Sequence, residues 1–328
     1  MGDWLRRQGS AGAEALERVS QELAAGCLKE EPEEITLDVD ATEIEAEKQE
    51  AAWTYNHVKG YMPMLGYVNG LCVGFEFREG NASPGAGILA FAQKCEAALP
   101  KGKRIYFRSD SAAYQAEVIN YYSQPGRSFT ITADLDQAVK REIDNLPEAA
   151  WQPYRTREGF ATDREIAETV HTMNDTEQAF RLIVLRWPNP QPSLFESDRY
   201  CYHAVATNRK EAPSQVIWKH NQRGEGENWH KELKVGFGME QMPCGEFAAN
   251  AMYFSIGVLA YNLAQWLKQR VLPATDRTAT VATLRWKLYR LAAKLVRHAR
   301  GWVLRVKADL EKWRLLESAW LACAGLGG

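Results

Sequence analysis

Acidic side chains at the ends of short alternating runs are the first residues in this chain with chemistry to offer. In Ile35-Thr-Leu-Asp38-Val-Asp40-Ala-Thr42, apolar Ile35, Leu37 and Val39 alternate with polar residues. That period is a half-buried strand with Asp38 and Asp40 on one face. A second strand-like run, residues 103–109, ends at Asp110. Carboxylates brought together from separate strands repel one another unless a cation neutralises them. Hard oxygen ligands converging from separate elements are what Mg²⁺ requires in phosphoryl transfer. The plainer alternative is that these are solvated aspartates, and pattern alone does not separate Asp38 from Asp40.

Further along, His220-Asn-Gln-Arg223-Gly-Glu-Gly-Glu227-Asn-Trp-His-Lys231-Glu-Leu-Lys234 spaces Arg223, Glu227, Lys231 and Lys234 at steps of four, four and three. On a helix these share a face. A salt-bridged surface helix has the same spacing. Gly224 and Gly226 argue against that plain reading, because each costs a helix about 1 kcal/mol. Glycine does let backbone come close to a phosphate.

These side chains need a frame. Residues 4–29 read as an amphipathic helix followed by an acidic spacer of Glu30, Glu31, Glu33 and Glu34. Strands over 62–67 and 71–78 meet at Asn69-Gly70, a strong hairpin signal. Ser83-Pro84 opens a helix through Leu99, and a helix over 112–122 and a strand over 128–133 follow the strand of Asp110. Three meandering strands ahead of strand–helix repeats predict a mixed sheet flanked by helices, an α/β (α+β mixed) fold. Residues 151–208 look β-rich, clearest over 179–186 and 200–207, with Pro188, Pro190 and Pro192 between them. From Ser214 onward the chain reads as helical, broken at Pro243 and Pro273.

Composition excludes several classes. With 328 residues, 45% apolar and 25% charged, the chain is globular in type, neither disordered nor collagen-like. A net charge of -2 is not that of a dedicated basic nucleic-acid module. The average conceals a gradient: residues 1–50 carry 14 acids against 5 bases, and residues 268–314 carry 13 Lys/Arg against 3 acids. Such a basic tail is either a phosphate footprint or a solvated helix face. Six cysteines without a C-x-x-C pair fit neither a zinc ribbon nor a disulfide scaffold, and they suit a reducing cytoplasm. Residues 247–267 lack any charge. Their Asn, Ser and Gln content favours a buried core helix over a membrane span.

The run around Glu227 resembles the Y-(2)-R-(3)-E-(6)-K signature of DDE transposases of bacterial insertion sequences. Arg223, Glu227 and Lys234 fit its intervals, with His220 where the family usually has Tyr. Leu-Asp-Val-Asp40-Ala-Thr42 is similar to the first-aspartate strand. Phe-Arg-Ser-Asp110-Ser-Ala resembles the second-aspartate motif, with Ala at its Gly position. Ala249-Asn250-Ala251 and Leu259-Ala260-Tyr261-Asn262-Leu263 match the C-terminal motifs. The resemblance implies an RNase H-like core in which Asp40, Asp110 and Glu227 hold two Mg²⁺ ions, with Mn²⁺ as a substitute. It implies that His220, Arg223, Lys231 and Lys234 meet DNA. It also implies a cut-and-paste transposase acting on transposon ends and target DNA, as a homodimer in a synaptic complex, cytoplasmic and without a membrane. The corresponding layout is a helical lead-in over 1–34, a first part of the core over 35–134, a β-rich insertion over 135–212 whose strands need not join the catalytic sheet, and the glutamate helix with C-terminal helices over 213–328. The family's N-terminal end-binding region is expected to be missing. A nuclease without strand transfer, and an inactive or repurposed fragment that binds DNA non-specifically, are the alternatives.

Overall fold

Alternation of polar and apolar residues builds the central sheet, and the computed structural model describes residues 2–30, 32–191, 199–299 and 301–325 of the chain. Glu31, Pro192 and Arg300 lie outside the described residues. The chain forms two compact units, Leu28–Asn228 and Met1–Cys27 with Trp229–Gly328. Helix α1 (Gly2–Cys27) leads into β1 (Glu34–Ala41). Strands β2 (Ile44–Glu45), β3 (Ala52–Trp53) and β4 (Lys59–Tyr61) make a small side sheet. Then come β5 (Met64–Val68), β6 (Leu71–Glu76), α2 (Ile88–Ala97), β7 (Arg104–Ser109), α3 (Ala116–Tyr122), β8 (Arg127–Thr132) and α4 (Gln137–Asp144). Strands β9 (Gln152–Arg155), β10 (Ala161–His171), β11 (Phe180–Pro188) and β12 (Tyr200–Thr207) precede α5 (Pro213–Asn221) and α6 (Gly224–Lys231).

Among the described residues the main sheet has nine strands in the order β6-β5-β1-β7-β8-β12-β11-β10-β9. Strands β1, β5 and β6 are an antiparallel meander, and β7 and β8 run parallel beside β1. This is the mixed sheet that the order of elements predicts. Strands of the expected insertion do join it: β12 pairs with β8, and β11, β10 and β9 add outward from there. Thr207 explains part of this, because its hydroxyl donates to the Phe129 carbonyl at 2.7 Å and locks β12 to β8.

One face of the sheet is apolar. Leu37, Val39, Phe107, Phe129 and Ile131 are all buried there, and Phe107 stacks on Tyr122 of α3 at 4.3 Å. Helix α2 seats on the meander through a glycine notch. Gly66 and Gly74 are directly paired, and a Cβ on either would come within 2.6 Å of Cys95 Sγ. At the hairpin, Asn69 and Gly70 both take positive φ, 49° and 80°, as a tight two-residue turn demands. Helix α2 begins at Ile88, later than the Ser83-Pro84 signal suggests, because Gly87 (φ 71°) breaks the helical path. A Cβ at Gly85 would meet the Ala112 carbonyl at 2.4 Å, so the intervening loop is shaped by a tertiary contact.

In the other unit α1 packs with α7 (Phe247–Arg270), followed by α8 (Val281–Leu284), β13 (Ala292–His298), β14 (Gly301–Lys307) and α9 (Leu310–Gly325). Helix α7 is long and apolar enough to cross a membrane by length and composition. Its polar residues are nonetheless satisfied inside the protein: Asn262 donates to Ser20 Oγ at 2.7 Å, and Asn250 bonds both backbone groups of Cys244 at 3.0 Å. The helical reading of the C-terminal stretch is corrected at 292–298 and 301–307, which pair as a β-ribbon. Val296, Val303 and Val306 favour strand, and Ala299 at φ 49° sits in the connection.

Candidate active site

Strands β1 and β7 are parallel neighbours with Asp38 opposite Arg108. Asp40 lies two residues on in β1, and Asp110 stands just past the end of β7, so both stand at the same end of these adjacent strands. Asp110 also caps the turn Ser111–Ala113, its Oδ1 accepting from the Ala112 N–H at 3.0 Å. Asp40 is half-buried, with Arg223 Nη1 at 3.4 Å from its Oδ2. Burial, and then the Asp110 charge, push the Asp40 carboxyl up to about 7, with Glu227 adding to the rise and Arg223 opposing it. Asp110 and Glu227 are thus both in electrostatic range of Asp40. Glu227 is exposed on α6.

Asp38 has a different role. It is 5% exposed, and the Arg108 guanidinium grips it with two bonds of 2.7 Å each. A third bond, 2.6 Å, runs from Arg108 to the Lys219 carbonyl and ties α5 to the same spot. The polar face of β1 is therefore covered, not solvated. Arg108 was the residue the sequence reading missed. The available signal was its separation of 70 residues from Asp38, the same separation that relates Asp110 to Asp40.

His220 corrects the expectation of a DNA contact. It is 3% exposed, and its ring nitrogens lie 3.0 Å from Thr130 Oγ1 and 3.0 Å from Thr132 Oγ1. Burial, then His203 and the Arg223 and Arg108 charges, push it down to about 3. It is a neutral packing group beneath α5, because the sheet's threonines supply partners that keep it inside. Lys231 is exposed and Lys234 is half-buried in the turn Glu232–Gly236, both in the unit that starts at Trp229. Gly224 and Gly226 are not explained by packing, since a Cβ at either would meet nothing within 4 Å.

The donor set suits a hard divalent cation: carboxylates come from separate elements, and the charge beside Asp40 that raises its proton affinity is one a cation would neutralise. Among the described residues, no three His, Cys, Asp or Glu side chains close around a single ion-sized point. Asp110 also lines an open cleft of about 660 Å³ with Ser83, Gly85, Tyr114, Gln115 and Asp134. The arrangement offers negative charge at a sheet edge, an arginine beside it and a cleft to one side.

Residues 3–322 match the family described as transposase DDE domain group 1. No curated protein matches the sequence. Among solved structures, the chain is similar to the piggyBac transposase of a cryo-EM synaptic complex with hairpin DNA, at 9% identity and a TM-score of 0.41. That similarity covers 70% of this chain and 48% of the other, so this chain spans about half the length of that protein.

Proposed function

The chain belongs to the DDE transposase family, and from that premise we propose that it cleaves DNA at the ends of an insertion sequence and joins them to a target. The observation that carries the reading is Asp40 and Asp110 at the ends of adjacent parallel strands, with Glu227 in electrostatic range. Asp40, Asp110 and Glu227 would hold Mg²⁺ or Mn²⁺. A divalent ion bound there supplies Lewis-acid charge against a phosphate.

The chain's own residues supply the rest. Arg108 pins Asp38 and α5, fixing the strand ends from which Asp40 and Asp110 project. Arg223 balances Asp40 and can grip a phosphate oxygen through the free edge of its guanidinium. Two copies paired on two DNA ends would constitute the working assembly. The test is incubation of the full chain with labelled duplex and Mg²⁺ or Mn²⁺, scoring both nicking and joined products. Metal-dependent nicking that vanishes in Asp40→Asn and Asp110→Asn supports the reading, and nicking retained in both variants overturns it. Nicking without joined products would favour a nuclease. A second reading, an inactive or repurposed fragment that binds DNA without chemistry, gives binding and no cleavage in the same assay.

A further inference from the structure

The ribbon β13–β14 is a two-stranded sheet by itself, and most of its residues are exposed. Directly opposite residues of an antiparallel pair share a face. The register places Ala292 against Lys307, Lys294 against Arg305, Val296 against Val303 and His298 against Gly301 on one side. The other side holds Ala293 with Val306, Leu295 with Leu304 and Arg297 with Trp302. Lys294, Arg305 and Lys307 are therefore gathered on a single face. No acidic residue occurs between Asp276 and Asp309, so the ribbon itself offers these cations no partner.

That arrangement works against the free ribbon. An isolated hairpin is marginal in water, and like charges directly opposite destabilise it further. A polyanion laid along the face would reverse the sign of that contribution. We propose that the Lys294–Arg305–Lys307 face is a docking surface for duplex DNA, an inference that rests on the reading of the chain as a DNA-acting enzyme. Charge complementarity selects the occupant. Duplex DNA presents one negative charge per ~1.7 Å of axis. A ribbon of this length extends about 20 Å, and the major groove, about 12 Å wide, admits a two-stranded ribbon. The other side, with Leu295, Leu304 and Trp302, carries one cation, Arg297, against three on the basic face.

The test uses the full chain and a labelled mixed-sequence duplex, with affinity measured across a salt series. The triple variant Lys294→Gln, Arg305→Gln, Lys307→Gln should bind on the order of tenfold more weakly at low salt and lower the slope of log affinity against log salt by roughly 2–3. Leu304→Gln, on the opposite face, should leave that slope unchanged. Wild-type affinity and slope in the triple variant would overturn the assignment while leaving the proposed chemistry intact if metal-dependent cleavage persists. Failure of the wild-type chain to bind any duplex would overturn both. A triple variant that loses binding to anionic phosphatidylserine vesicles yet binds DNA normally would also overturn it, in favour of a membrane surface.

Discussion

Asp40 is the residue whose protonation the fold most directly opposes to its expected use. With its carboxyl pushed from 3.8 up to about 7 by burial and Asp110, the folded protein binds a proton there that the unfolded chain has already released. The Asp40 contribution to stability is thus full below pH 4 and is lost as pH rises through about 7, amounting to roughly 4 kcal/mol at most. His220 has the opposite sign: its pKa is depressed to about 3, so stability falls as the pH drops below about 6.5. We therefore expect the difference in unfolding free energy between the wild type and Asp40→Asn, without divalent ions, to change between pH 4 and 7. Parallel urea midpoints for the two proteins across that range would refute the electrostatic account. Asp38 belongs to the same scale with another outcome. Removing either partner of the buried Asp38–Arg108 pair leaves an uncompensated charge, a loss of about 3–5 kcal/mol. Asp38→Ala and Arg108→Ala should each lower the urea midpoint by a similar amount, whereas a mild Asp38→Ala would show that the pair is solvated in solution.

Helix α6 carries its own test. A Cβ at Gly224 or Gly226 would meet nothing within 4 Å, so alanine fits at both and should raise helix stability by about 0.5–1 kcal/mol each. If those glycines instead let backbone approach a phosphate, Gly226→Ala should raise the melting temperature and lower DNA cleavage at once. A variant that is both more stable and fully active would make the glycines incidental. The ribbon β13–β14 lies at this scale too. A basic stretch that reads as helical in sequence is an extended element of the kind that enters a groove.

At the scale of the whole molecule, a ligand bound only by the folded state stabilises it in proportion to the logarithm of its concentration, about 2.7 kcal/mol at a hundredfold excess over Kd. Titrating Mg²⁺ or Mn²⁺ should therefore raise the melting temperature of the full chain, and Asp40→Asn with Asp110→Asn should abolish the rise. An equal rise in the double variant would place the ions elsewhere. The same titration should bring the Asp40 pH effect down to lower pH, since a bound cation favours the ionised carboxylate.

The order of elements, the hairpin at Asn69-Gly70, the mixed sheet and the strand-end positions of Asp40 and Asp110 were legible in the sequence, because each depends on local periodicity or turn chemistry. The burial of Asp38 and His220 was not. The alternation around Asp38 looks the same whether water or α5 covers that face, as does His220 on α5 whether it faces water or the sheet, and only the packed contacts with Arg108, Thr130 and Thr132 decide it. The joining of β12 to β8 and the strand state of 292–298 and 301–307 are likewise decided by strand pairing. A partner distant in sequence, β8, sets the first, and in the ribbon a basic run with valines at 296, 303 and 306 satisfies helix and strand alike until the neighbouring strand is laid beside it.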